Sequence, residues 1–186
     1  PEPLFLVQNN EVIECYSNVC THRGNLLIDK PCLLNHGIVC GYHGRRFNLS
    51  GKFLSMPETK GMKNFPCERD NLSKVNCSQW NQFIFTSLDP AFSLDELIRD
   101  IDERVNWMPI QEFTYREDLS KEYIIDANWA LYCDNYLEGF HIPFIHEDLN
   151  HVIDYKNYEV EVFSYSNLQI GYGNNEDDCF NLPDSS

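Results

Sequence analysis

The chain has 186 residues with 29 acidic and 14 basic side chains, a formal charge of −15. Basic residues scattered through an acidic chain exclude a phosphate-binding nucleic-acid surface and disfavour an anionic membrane; no apolar run approaches the roughly 20 residues of a spanning helix. At 42% hydrophobic and 13% aromatic the chain can bury a core; with no secretion signal at Pro1, Glu2 and Pro3, a soluble cytoplasmic protein is expected.

Leu4 to Val7 and Val12 to Tyr16 read as a β-hairpin turning at Asn9 and Asn10, which tolerate positive φ. From 20 to 92 short strand candidates alternate with turn formers: Ile38 to Cys40, Phe47 to Phe53 around Gly51, and Phe83 to Thr86. This half is predicted to be all-β. After Leu88, Asp89 and Pro90 the character changes. Ser93 with Glu96 three residues later is a capping signature, and Leu94, Leu97, Ile98, Ile101 and Val105 repeat at helical spacing. Glu112 to Glu117 and Glu122 to Ile125 look strand-like, Asn128 to about Phe140 reads as a helix, and Tyr158 to Tyr165 with Leu168 to Tyr172 read as two strands joined by a short turn.

Two mixed pairs of potential metal ligands stand out, Cys20 with His22 and Cys40 with His43, each in a turn-rich segment followed by a glycine, Gly24 or Gly44. Two thiolates and two imidazoles suit either a structural zinc or a mixed-ligand [2Fe–2S] cluster. Zinc fingers pair Cys with Cys and His with His. A mixed pair from each loop is what an asymmetric cluster needs, one iron taking both thiolates and the other both imidazoles, so the spacing favours the cluster. The other cysteines, at 15, 32, 67, 77, 133 and 179, match no pattern and are expected to be buried neutral thiols. His36 and His151 match no motif either.

A second constellation lies between Asp134 and His146. On a straight helix Glu138 and His141 would sit about 60° apart on one face, with His146 about 140° from His141. Pro143 would break the helix and let His146 turn back toward His141. Two imidazoles and a carboxylate form the facial arrangement of non-haem Fe(II). Trp129, Tyr136 and Phe140 read as packing around that helix.

Residues 20–24 and 40–44 resemble the two halves of a Rieske iron–sulfur motif. Asn25 and Tyr42 occupy the positions of the disulfide cysteines found in the respiratory type. The resemblance is therefore to the oxygenase or ferredoxin type, whose potential lies nearer about −150 mV than +300 mV. With Glu138, His141 and His146 added, the chain resembles the α subunits of Rieske non-haem iron oxygenases, the aromatic-ring-hydroxylating and choline monooxygenase-like group. That resemblance implies an α+β fold: an all-β Rieske [2Fe–2S] domain over 1–90, then over 91–186 the N-terminal half of a helix-grip, START-like catalytic domain.

It further implies a cluster on Cys20, His22, Cys40 and His43, a mononuclear Fe(II) on His141 and His146, and Glu138 as an acidic bridge carrying electrons from a neighbouring subunit's cluster. The implied partners are a reductase fed by NAD(P)H, directly or through a ferredoxin, with O2 and a small aromatic or quaternary amine substrate that is hydroxylated or demethylated. A homotrimer is implied for the full-length protein. The family's third iron ligand is an Asp far downstream; Asp177, Asp178 and Asp184 fall too early, so the chain is expected to be a piece truncated at both ends. Arg45 and Arg46 depart from a family pattern that places Trp first. Two rival readings are a Rieske ferredoxin-like electron carrier without oxygenase activity and a zinc-stabilised binding module.

Overall fold

The computed structural model describes residues 2–173. The chain divides into two compact units, Pro1–Ala91 and Phe92–Ser186.

The first unit is built on two antiparallel sheets. Strands β1 (Leu4–Asn9) and β2 (Val12–Ser17) form the expected hairpin, with Asn10 at φ 56° in its turn. Strands β3 (Ile38–Val39), β4 (Arg46–Phe47) and β5 (Phe53–Ser55) make a small three-stranded sheet. Strands β6 (Lys74–Trp80) and β7 (Phe83–Ser87) complete the larger sheet in the order β1-β2-β6-β7. Strand β6 is absent from the sequence reading because Lys74, Asn76, Ser78 and Gln79 dilute its apolar content; its place beside β2, with Cys15 opposite Val75, is a tertiary effect.

The core of this unit is Phe5, Val7, Tyr16, Cys20, Ile38, Cys40, Phe47 and Leu72. Ile38 and Phe47 are cross-strand partners and fully buried, each contributing about 1.5–3 kcal/mol of transfer free energy. Two of the four candidate ligands, Cys20 and Cys40, belong to this core. The loops that carry them are thereby anchored in the best-packed part of the unit.

The second unit opens with α1 (Leu94–Val105), where the Ser93 hydroxyl accepts from the Glu96 N–H as its spacing predicted. Helix α2 (Trp129–Tyr136) starts at Asn128, whose side chain accepts from the Ala130 N–H. Two short helices, α3 (Ile142–Ile145) and α4 (Glu147–Val152), follow, and strands β8 (Glu159–Val162) and β9 (Asn167–Ile170) form a hairpin.

Three expectations are corrected. The stretches 112–117 and 122–125 are not strands; this region holds 3₁₀ turns at Ile110–Glu112 and Glu117–Leu119 and is otherwise irregular, with Tyr115 and Ile124 exposed. Alternating apolar residues form a strand only beside a partner, and neither stretch pairs among the described residues. Trp129, Tyr136 and Phe140 are exposed rather than packed around α2. Of the cysteines outside the pairs, Cys15 is buried and Cys77 half-buried, but Cys32, Cys67 and Cys133 are exposed; Cys179 and the aspartates at 177, 178 and 184 lie outside the described residues. His36 and His151 are both exposed. No helix among the described residues is long and apolar enough to cross a membrane.

Candidate metal centres

The two cysteine–histidine segments fold into loops of matching geometry. The bridge between Val19 and Leu26 closes the base of the first, and the Val39–Arg46 pair closes the base of the second. Within each loop the cysteine N–H donates to the carbonyl five residues on, Cys20 to Asn25 and Cys40 to Arg45, both at 2.8 Å. In return the glycine N–H donates to the cysteine carbonyl, Gly24 to Cys20 at 2.9 Å and Gly44 to Cys40 at 3.0 Å. Gly24 and Gly44 reverse the chain at φ 71° and 68°, a region costly for residues with a Cβ. The first loop is also held by buried Asn18, whose side chain accepts from Leu27 and Ile28 and donates to the Ile28 carbonyl at 2.6 Å.

These loops bring the four side chains together as two pairs, thiol with thiol and imidazole with imidazole. Cys20 and Cys40 are buried and their thiols are hydrogen-bonded to each other. His22 and His43 are half-buried, with ring centroids 4.8 Å apart in an edge-on arrangement. Thiols inside and imidazoles outside is the division that an asymmetric two-iron cluster requires.

The Nδ1 atom of His22 is buried with no hydrogen-bond partner. An orphaned ring nitrogen in the loop that also carries one of the paired thiols fits a metal-ligating group, since buried polar atoms are otherwise satisfied. Among the described residues no three His, Cys, Asp or Glu side chains converge on one ion. A two-iron cluster does not need that convergence, because each iron takes only two protein ligands.

The electrostatics of the loops are uneven. Burial pushes the Cys20 thiol up. Burial would do the same at Cys40, but the N–H groups of Tyr42 and His43 and the side chains of Cys20 and Asn25 outweigh it and bring that thiol below its ordinary value. Asn25, placed by sequence at a position where respiratory relatives form a disulfide, is thus a hydrogen-bonding neighbour of Cys40. Burial, then the nearby charges of His43, Arg23 and Arg45, lower His22 and favour its neutral, ligating form. The Tyr42 ring lies 3.8 Å from that of His43, centroid to centroid.

In the second unit the predicted trio also meets, by a different route. Helix α2 ends at Tyr136, earlier than expected, so Glu138 lies in the turn beyond it and His141 caps the start of α3. The shared helical face is therefore replaced by a turn. Pro143 does not break a helix but sits in the first turn of α3, where its missing N–H costs nothing. His146 closes α3 and opens α4, which sets its ring 5.0 Å from that of His141.

One carboxylate oxygen of Glu138 bonds His141 Nδ1 and the other accepts the Phe140 N–H. The His141 bond, with burial opposing it, holds the Glu138 carboxyl below its ordinary value. An ionised carboxylate only accepts, so in this bond His141 Nδ1 is the donor, and Nε2 is the nitrogen left to ligate a metal.

The trio lines a cleft of about 670 Å³ together with Tyr132, Tyr136, Tyr158 and Gln169. Tyr158 and Gln169 escaped the sequence reading. The Tyr158 hydroxyl bonds the Gln169 side chain, whose amide donates to the Tyr136 carbonyl, tying the β8–β9 hairpin to the end of α2 just before Glu138. No motif announces such a link, because it joins residues 33 apart.

Comparison with known proteins matches residues 1–66 to the Rieske [2Fe-2S] domain and residues 105–177 to the ring hydroxylating alpha subunit catalytic domain. Choline monooxygenase, chloroplastic, from Arabidopsis thaliana is 29% identical over 86% of this chain and 40% of its own length. The carnitine monooxygenase oxygenase subunit of Escherichia coli strain K12 is 24% identical over 100% of this chain and 50% of its own. A quaternary ammonium Rieske monooxygenase solved with L-carnitine shares the fold at a TM-score of 0.77 and 22% identity, covering 92% of this chain and 49% of that one. The chain thus spans two-fifths to one-half of the curated relatives just named. The chain thus carries a Rieske [2Fe-2S] domain match followed by a ring hydroxylating alpha subunit catalytic domain match, in the order that its sequence resemblance to the Rieske oxygenase α subunits implied.

Proposed function

We propose that this chain carries the electron-entry centre and two of the iron ligands of an oxygenase that hydroxylates or demethylates a small organic substrate. The observation that carries the reading is the presence, in one chain, of two metal half-sites of different chemistry: paired thiols and imidazoles in residues 20–43, and the His141–His146 pair steadied by Glu138. Cys20, Cys40, His22 and His43 would hold a [2Fe–2S] cluster, and His141 and His146 would hold Fe(II). When bound, these groups supply one-electron transfer and oxygen activation.

The protein's own contribution is geometric and protonic. Burial of both cysteines keeps solvent from the sulfur side, and the half-buried imidazoles form the side open to electron exchange. Glu138 fixes the tautomer and orientation of His141 by holding the proton at Nδ1; the same carboxylate is the proposed bridge toward a neighbouring subunit's cluster. A trimeric assembly, and delivery of electrons from NAD(P)H by a reductase, directly or through a ferredoxin, belong to the same proposal.

A cationic amine is favoured as substrate by the tyrosines at 132, 136 and 158 around the cleft, whose ring faces attract a quaternary ammonium. The relatives' names, choline and carnitine monooxygenase, point the same way.

Iron and sulfide analysis of the whole protein tests the reading, together with the mixed-ligand Rieske EPR signal after reduction. Three irons per chain are expected, falling to two with the signal retained in His141→Ala. Two irons in the parent, with turnover untouched by His141→Ala, would overturn it in favour of an electron carrier. Zinc in place of iron would overturn it in favour of a binding module.

A further inference from the structure

Arg45, which directly follows Gly44 in the second cluster loop, is 2% exposed, whereas its neighbour Arg46 is exposed and donates to the His36 carbonyl. A guanidinium carries its charge at every accessible pH, so burying it demands a partner. That partner is the Asp70 carboxylate. The guanidinium carbon also lies 4.8 Å from the Phe53 ring centroid, 5.7 Å from Phe65 and 5.9 Å from Phe47, a cage that stabilises a cation through its ring faces.

Asp70 ends a single 3₁₀ turn, Glu68–Asp70, that reaches both cluster loops. Its backbone carbonyl accepts from the Thr21 hydroxyl at 2.8 Å, between Cys20 and His22, and from Arg45 at 3.4 Å. Its second carboxylate oxygen accepts the Cys67 N–H at 2.7 Å. Arg45 in turn accepts the Cys40 N–H on its own carbonyl. One buried ion pair is therefore joined to the first loop through Thr21 and to the second through the backbone of Arg45.

We propose that Arg45 and Asp70 form a buried charge clamp that positions both ligand loops and sets the reduction potential of the cluster between them. This rests on the cluster assignment above. One-electron reduction adds negative charge at the cluster, so a fixed cation beside the loops favours the reduced form and its carboxylate partner restrains that effect. Arg45 and Asp70 are positioning residues whose removal shifts the potential in opposite directions.

The test uses the whole protein reconstituted with iron and sulfide, in four versions: parent, Arg45→Met, Arg45→Lys and Asp70→Asn. The potential is read by EPR-monitored redox titration, and cluster retention by iron loss to a chelator. Asp70→Asn is expected to raise the potential and Arg45→Met to lower it, both releasing iron several-fold faster than the parent. Arg45→Lys keeps the charge but not the planar fork, so its potential stays near the parent's while release is faster. Should Arg45→Met hold no cluster, the upward shift in Asp70→Asn against an unshifted Arg45→Lys decides. Unchanged potentials, or shifts of the same sign in Asp70→Asn and Arg45→Met, overturn the clamp while leaving the cluster assignment standing. A parent with no Rieske signal overturns that assignment instead.

Discussion

Asp70 also carries a pH signature. Burial alone would raise its carboxyl, but the Cys67 N–H and the Arg45 guanidinium outweigh that and hold it below the usual carboxylate range. Its folded-state pKa lies below its unfolded value, so the unfolded chain binds the proton first as pH falls. The contribution is therefore complete above the ordinary carboxylate pKa and is lost as pH drops through the folded value. Urea unfolding of the first unit between about pH 6 and about pH 3 should show this fall, and Asp70→Asn should flatten it. Gly139 gives a second residue-level outcome. A Cβ there would stand 2.7 Å from the Tyr158 ring, so Gly139→Ala should cost about 1–3 kcal/mol through overpacking. In a Tyr158→Ala background the clash is gone, and the two substitutions should be strongly non-additive in thermal unfolding.

Helix α2 shows what capping does when packing contributes little. None of its residues is buried, so its start depends on the Asn128 side chain bonding the Ala130 N–H. Asn128→Ala should cost about 1 kcal/mol, read as lost helical circular dichroism together with weaker Co(II) binding at His141 and His146. Asn128→Asp, which keeps the acceptor, should restore both.

Local chemistry of this kind is what sequence makes legible. Ser93 before α1, Asn128 before α2, Asn10 in the first hairpin and the glycines closing the cluster loops act within a few residues of themselves, and the chain displays them directly. The four cluster candidates were legible too, because a mixed Cys–His pair with a following glycine has few other uses. What escaped depends on distant partners. Strand β6 exists because β2 lies beside it, and the stretch 112–125 lacks such a neighbour. Arg45 read only as a departure from the family pattern because nothing near it in sequence reveals Asp70, 25 residues on. Glu138 and His141 were read correctly as neighbours for the wrong reason: spacing of three serves a tight turn as well as a helix, and only the end of α2 at Tyr136 separates the two.

For the whole molecule the −15 charge excludes partners but selects none, and the division into two compact units does more. All four cluster candidates lie in the first unit, two of them inside its hydrophobic core. A group that binds the folded form alone stabilises it by mass action, in proportion to the logarithm of its concentration over its dissociation constant. The core around Phe5, Tyr16, Ile38 and Phe47 should therefore be coupled to cluster loading directly, through Cys20 and Cys40 themselves. Removing iron anaerobically with a chelator should raise amide hydrogen exchange in β2, β3 and β4, while α1 keeps its protection. Equal deprotection of α1 would show that loading stabilises the chain as one cooperative body. Fe(II) added to the cluster-free protein should protect residues around α3 and α4, where His141 and His146 stand, and leave β2 through β4 unprotected until sulfide is supplied.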